Sequence, residues 1–324
     1  MHDTCILNAE TIIMSLFPIK WLSSLVVIAI SFSVCAPLFA EVQKISQPIS
    51  IDKKLAELEA SFGGRIGVYA INTANNTHLQ YRANERFPMG CTSKVIGVAA
   101  ILKKSMNDRT LLSQKVTYTK SDLTNWNPIT EKHLADGMTV AELCAAAIRY
   151  SDNTAMNLLV RILGGVEGMN AFARSIRDHS FRQDHEWPTE AMSGGQGDLH
   201  DSSTPSAMAN SLKRLALTNT LAKPQRELLL SWLKTNTTGD NRIRAGVPKG
   251  WTVGDKTGTG FYYGTTNDIG IIWPPKCAPI VVAIYYTSND KKAVKREDIV
   301  AATIRILINE FAQGDKCIRS GLPI

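Results

Sequence analysis

Residues 87–103 read FPMGCTSKVIGVAAILK. From Lys94 to Lys103 the run is apolar on nearly every face, which predicts a central helix buried on all sides instead of one lying on a surface. At its N-terminus stands Cys91-Thr92-Ser93-Lys94. A helix start offers unpaired N–H groups and the positive end of the dipole, and a side chain three positions on returns to the same face. Lys94 is thereby predicted beside Cys91, where it can favour the ionised thiol or take its proton.

Outward from this helix, the two ends of the chain read as mixed α/β and the middle as helix. Residues 51–61 carry a helical pattern, and residues 65–72 (RIGVYAIN) and 78–82 read as a strand pair around Asn75-Asn76. Thr139-Val140-Ala141-Glu142 is a capping box opening an apolar helix that runs to Tyr150, and Thr204-Pro205 places an N-cap and a first-turn proline at the head of another. Beyond Pro248 the pattern changes to β-branched runs at residues 252–256, 268–273 and 280–286, closed by an amphipathic helix over 294–311. The expected fold is therefore α/β (α+β): one antiparallel sheet made from both ends of the chain, flanked by the first and last helices, with the helical middle inserted.

The N-terminus reads as an export signal. Lys20 precedes an apolar stretch at residues 21–34, followed by Cys35-Ala36-Pro37-Leu38-Phe39-Ala40 and the polar Glu41; Met14 opens the segment better than Met1. This stretch is too short for a stable span, so residues 14–40 are expected to be a signal peptide and the mature chain to stay out of the membrane. The formal net charge of +7 is dispersed. Lys291-Lys292 and Lys295-Arg296 are followed by Glu297-Asp298, a solvated helix start and not a nucleic-acid footprint. Of the cysteines beyond the signal, Cys91, Cys144, Cys277 and Cys317 fit no metal spacing. A strand of about eight residues and a helix of about 20 span roughly 26 and 30 Å, so the chain returns near its origin and can bring Cys277 and Cys317 together.

Two further short elements carry chemistry. Ser151-Asp152-Asn153 falls at a break between helices, where a hydroxyl can relay a proton and an amide can hold a polar ligand group. Lys256-Thr257-Gly258 ends an apolar strand, where Gly258 lets a ligand approach the backbone and Lys256 supplies positive charge. Singly, each is most often a turn. In this order, with these helix, break and strand contexts, the trio points to an acyl-transfer site.

On these motifs the sequence resembles the class A β-lactamases across essentially the whole mature chain. The resemblance extends to Phe87-Pro88-Met89, to Gly137-Met138-Thr139-Val140-Ala141-Glu142-Leu143, to Gly254-Asp255-Lys256-Thr257-Gly258-Thr259-Gly260 and to Tyr263-Gly264-Thr265-Thr266-Asn267-Asp268. It implies a β-lactamase/penicillin-binding-protein-like fold with a five-stranded antiparallel sheet. An α/β lobe (41–85 and 236–324) and a helical lobe (86–235) would hold the cleft between them. It implies a periplasmic or secreted monomer that takes a small β-lactam, with no metal or other cofactor. Carried over by position, Cys91 matches the nucleophile, Lys94 its base or relay, and Ser151 the proton donor to the ring nitrogen. Asn153 matches the residue holding the ligand's side-chain amide. Lys256, Thr257, Gly258 and Thr259 match the edge that takes its carboxylate, reinforced by Arg242. Trp126 matches the aromatic wall at the cleft mouth, and the backbone N–H groups of Cys91 and Thr259 match the oxyanion hole.

The sequence departs from the family twice. Cysteine stands where the family has serine, and a thioester must then be hydrolysed in a pocket shaped around oxygen. In the loop from Arg182 to Asp201, aligning Pro188 puts Trp187 at the water-activating glutamate, Glu190 at an apolar position and Ala191 at an asparagine. Glu186, one residue out of register, and Glu190 are the available carboxylates, and solvated loop residues are the simpler reading of both. His185 stands where an arginine pairs with the aspartate matched by Asp201, a pairing expected to need a protonated ring. Three functions stay open: a slow β-lactam hydrolase acting in antibiotic resistance and β-lactam catabolism; a penicillin-binding acyl trap or peptidoglycan peptide acyltransferase; and an inactive cell-wall-binding homologue.

Overall fold

The computed structural model describes residues 50–188 and 197–322, so the signal-peptide reading, Glu190 and Ala191 lie outside the described residues. The first helix, α1 (Ile51–Phe62), is opened by Ser50, whose side chain accepts from the Lys53 amide. Strands β1 (Arg65–Asn72) and β2 (Thr77–Tyr81) follow, and Asn76 takes a left-handed conformation in the turn between them. After the helical middle come β3 (Thr252–Thr259), β4 (Thr266–Trp273) and β5 (Ile280–Thr287). All pair antiparallel in the order β2-β1-β5-β4-β3. The N-terminal strands thus join the C-terminal ones through β1 and β5, as the sequence predicts.

Strand alternation divides the core. Ile66, Val68 and Ala70 of β1 join Ile280, Val282 and Ile284 of β5 on the face covered by α1 and the C-terminal helix. Tyr69 and Ile71, with Val281, Ala283 and Tyr285, face the helices of the middle segment. Both faces being covered explains why β1 and β5 are buried at every position and read as continuous apolar runs. Each fully buried aliphatic side chain contributes about 1.5–3 kcal/mol, so this double burial is a main source of the sheet's stability.

The middle segment contributes α2 (Lys94–Ser105), α3 (Val140–Arg149), α4 (Asn153–Leu163), α5 (Val166–Ser175), α6 (Pro205–Leu217) and α7 (Lys223–Lys234). Helix α2 is buried from Lys94 to Leu102, with α3, α4 and α5 packed around it. The capping box at Thr139 and Glu142 and the Thr204 N-cap ahead of Pro205 form as the sequence requires. A short α8 (Ile243–Gly246) precedes β3; α9 (Glu297–Gly314) and α10 (Lys316–Ser320) close the chain. Helix α9 starts at Glu297, three residues later than the apolar pattern suggests. Cys277 and Cys317 are joined in a disulfide, which ties the β4–β5 turn to α10. Among the described residues, no helix is long and apolar enough to cross a membrane.

Candidate active site

Cys91 lies in a 3-10 turn, Gly90–Ser93, that runs directly into α2. Gly90 adopts φ +53°, a conformation open to glycine at little cost. The turn is clamped from the sheet side. Asn267 Nδ2 donates to the carbonyls of Pro88 at 2.8 Å and Met89 at 3.1 Å, and the Thr92 hydroxyl donates to Met89 O at 2.8 Å. A β-carbon at position 258 would come within 2.5 Å of Met89 O, so only glycine lets β3 lie against the turn. Gly258 therefore also admits the backbone of the turn that carries Cys91.

Two lysines converge behind Cys91, both fully buried. Lys94 Nζ donates to Ser151 O at 2.7 Å, Asp152 O at 3.2 Å and Asn153 Oδ1 at 2.6 Å. Three acceptors for three N–H groups suit an ammonium ion. Of the two roles open to Lys94 from sequence, geometry favours the fixed cation. Lys256 Nζ donates to Ser151 Oγ at 2.9 Å and to its neighbour's carbonyl, Thr257 O, also at 2.9 Å. Burial, then repulsion from Lys94, lowers the Lys256 ammonium to about 8, against the attraction of Cys91 and two aspartates.

The thiol responds to this setting. Burial pushes Cys91 upward, but the charges of Lys94 and Lys256, with hydrogen bonding from Ser151 and Lys94, outweigh it and hold the thiol below its usual range. Cys144 is an internal control: equally enclosed and without such neighbours, it is driven upward by burial alone. Of the pair, Cys91 is the thiol whose surroundings favour ionisation.

Ser151 occupies the break between α3 and α4 at φ +59°, uncommon for a residue with a side chain. Asp152 holds the break: its carboxylate accepts from the amides of Ala155 at 2.8 Å, Ile129 at 3.0 Å and Thr130 at 2.9 Å. Asn153 spans from Lys94 to Asn125, donating from Nδ2 to Asn125 Oδ1 at 2.9 Å. Together these residues border a cleft of about 380 Å³ lined by Cys91, Ser151, Asn153, Thr257, Thr259 and Arg242, with Trp126 at its rim, 53 % exposed. Arg242 donates to Gly258 O at 2.8 Å, Asn267 O at 2.7 Å and Thr259 Oγ1 at 2.6 Å, fixing the end of β3. A β-carbon at Gly90 would lie 3.2 Å from the Thr259 nitrogen, so the two segments expected to form an oxyanion hole adjoin.

The loop side differs. Glu186 is exposed, and the structure does not bring it to the residues above; its neighbour Trp187 turns inward and is 2 % exposed. The Trp187 amide donates to Asn157 Oδ1 at 2.9 Å and its carbonyl accepts from Asn157 Nδ2 at 2.5 Å. The ring then lies 5.3 Å from Lys94 Nζ. An indole face thus meets the ammonium from the position that the family gives to a carboxylate. The His185–Asp201 pairing forms, Nδ1 to Oδ2 at 2.7 Å. As an ion pair it needs a protonated ring; a neutral imidazole bearing its hydrogen on Nδ1 would make a hydrogen bond in its place.

Sequence reading did not assign six lining residues to the site: Asn125, Thr238, Gly260, Phe261, Lys295 and Glu297. Asn125 adjoins Trp126 and Gly260 adjoins Thr259, and these neighbours carry the only local signal. Thr238 meets Thr257 hydroxyl to hydroxyl at 2.6 Å, a contact made only when the segment before α8 folds over β3. Lys295 and Glu297 belong to the solvated helix start that the sequence predicts, and both also line the cleft.

Comparison with known proteins agrees with this geometry. The family model described as the β-lactamase enzyme family matches residues 50–311. The chain is 52 % identical over 274 residues to β-lactamase Toho-1 of Escherichia coli, covering 85 % of this chain and 94 % of that one. It is 50 % identical over 276 residues to a β-lactamase of Citrobacter koseri, covering 85 % and 92 % respectively. The crystal structure of a β-lactamase from Desulfarculus baarsii superposes with a TM-score of 0.79 at 45 % identity, over 81 % of this chain and 97 % of that one. The chain belongs to the class A β-lactamase family.

Proposed function

We propose that this protein opens the β-lactam ring by acyl transfer to Cys91 and releases the product by slow hydrolysis. The observation that carries this reading is the meeting of the Cys91 thiol, the Ser151 hydroxyl and two buried lysines at one cleft. Cys91 Sγ adds to the lactam carbonyl carbon, with the oxyanion received by the N–H groups of Cys91 and Thr259. The carbonyl–nitrogen bond then breaks. The ring nitrogen takes its proton from Ser151 Oγ, which is resupplied from Lys256 Nζ; an ammonium near 8 exchanges a proton readily at neutral pH. Thr257, Thr259, Lys256 and Arg242 hold the ligand's carboxylate end, Asn153 its side-chain amide, and Trp126 covers it.

Hydrolysis of the thioester needs a water activated within hydrogen-bond reach. Trp187, in the register of the family's glutamate, cannot accept that proton, and Glu186 is exposed. This favours a long-lived adduct, so the protein lies between hydrolase and acyl trap. We also take the chain to be exported through residues 14–40, to act as a periplasmic or secreted monomer, and to close its α/β and helical lobes around the ligand.

Intact-protein mass spectrometry after mixing with benzylpenicillin tests the reading. The expected result is one added penicillin on the peptide carrying Cys91, persisting for hours. No adduct at Cys91 overturns the proposal; an adduct gone within minutes overturns its second half.

A further inference from the structure

The carboxylate end of the cleft already contains a carboxylate. Glu297 lines it, at the first position of α9, with its side chain 20 % exposed. Its Oε1 accepts from Arg242 Nε, Arg242 Nη2 and Lys295 Nζ, each at 3.3 Å, and its Oε2 accepts from Asn241 Nδ2 at 3.3 Å. Charge-assisted bonds of full strength run at about 2.7–2.9 Å, so all four are long. The neutral partners of Arg242 are the tight ones, at 2.6 to 2.8 Å. Arg242 is thus held rigidly by backbone and Thr259, and only loosely by its counter-ion.

We propose that Glu297 is a specificity-determining residue, a displaceable counter-ion that competes with the ligand's carboxylate for Arg242 and so tunes the cleft against anionic ligands. The inference rests on the functional reading above in placing the ligand's carboxylate at this end. An incoming carboxylate meets Arg242 and Lys295 as attractive groups and Glu297 as a repulsive one. In this part-buried setting, a like charge weighs more than it would in bulk water. A ligand whose carboxylate is masked as an ester carries no such charge and is indifferent to Glu297. Thr259 sharpens the discrimination: Arg242 Nη2 donates to its Oγ1, so the hydroxyl hydrogen is left to point at a ligand anion.

The test uses non-covalent binding, so that it does not depend on turnover. In a Cys91→Ala background, calorimetry compares benzylpenicillin with its methyl ester. Glu297→Gln is expected to tighten the acid about three- to tenfold and leave the ester within about twofold, which corresponds to roughly 0.7–1.4 kcal/mol for the acid. Lys295→Gln, which leaves Glu297 less neutralised, is expected to weaken the acid two- to threefold and spare the ester. Equal changes for both ligands, or weaker acid binding in Glu297→Gln, would overturn the proposal while leaving the functional reading intact. Failure of either ligand to bind the parent or any variant would overturn both.

Discussion

The nucleophile turn and the loop that faces it were built by opposite rules. On the Cys91 side, polar and charged groups meet polar partners: Lys94 has three acceptors, Lys256 has two, and Asp152 is filled by backbone amides. On the loop side the central group is an indole, whose buried Nε1 meets no hydrogen-bond partner among the described residues. The first arrangement favours the ionised form of the thiol; the second supports the fold and presents a π face to a cation. Burial lowers the Lys94 ammonium from the usual lysine range; the attraction of Cys91 and Asp152 opposes this, and the Trp187 ring face 5.3 Å away acts in the same direction as they do. The lesson is that two halves of one catalytic cycle can be tuned separately, because different segments carry them.

The sharpest way to break this contrast is to give the loop a base. Trp187→Glu places a carboxylate beside Lys94, and the benzylpenicillin adduct is expected to decay about ten- to a hundredfold faster, below the 10²–10⁴ that a well-placed general base supplies. Unchanged decay by time-resolved mass spectrometry would show that the loop does not limit release.

A smaller effect should come from the other side. Lys94→Gln removes the cation with the larger effect on the thiol, lets the thiol rise toward its ordinary value of about 8.5, and is expected to slow iodoacetamide labelling of Cys91 about tenfold at neutral pH. In the parent protein, labelling should persist below the ordinary thiol range, because the folded thiol is held low. Acylation should fall above about pH 8 as Lys256 loses its proton, giving a bell-shaped profile. A rate that tracks an unperturbed thiol would refute the assignment.

The least effect on chemistry is expected far from both sides. The Cys277–Cys317 bridge closes a separation of 40 residues, and its removal by Cys277→Ser with Cys317→Ser should lower stability by about 2–4 kcal/mol. Adduct formation and decay should stay as in the parent. Changed decay would mean that the loop senses the distant end of the sheet.

What could be read in advance follows from how local its cause is. Helix α2, the Thr139 capping box and the strand alternation of β1 are written in neighbouring residues, and so are the three motifs. The C-terminal ends of β3 and β5 run past their apolar cores because pairing across the sheet extends them. The inward turn of Trp187 is set by Asn157, on a helix thirty residues away. The place of Glu297 is set by Arg242, which only the folded sheet brings near. Charge runs and loop carboxylates therefore carried too little local pattern to reveal which of them would face the cleft.

Trp187 also makes the reaction centre observable. An indole enclosed beside the Lys94 ammonium is an intrinsic fluorophore whose emission responds to nearby charge and to water. Trp126 stands at the rim of the same cleft, so a difference spectrum against Trp187→Phe is needed to isolate this ring. The same ring is therefore expected to supply an optical record of acylation in real time, without label or chromogenic ligand.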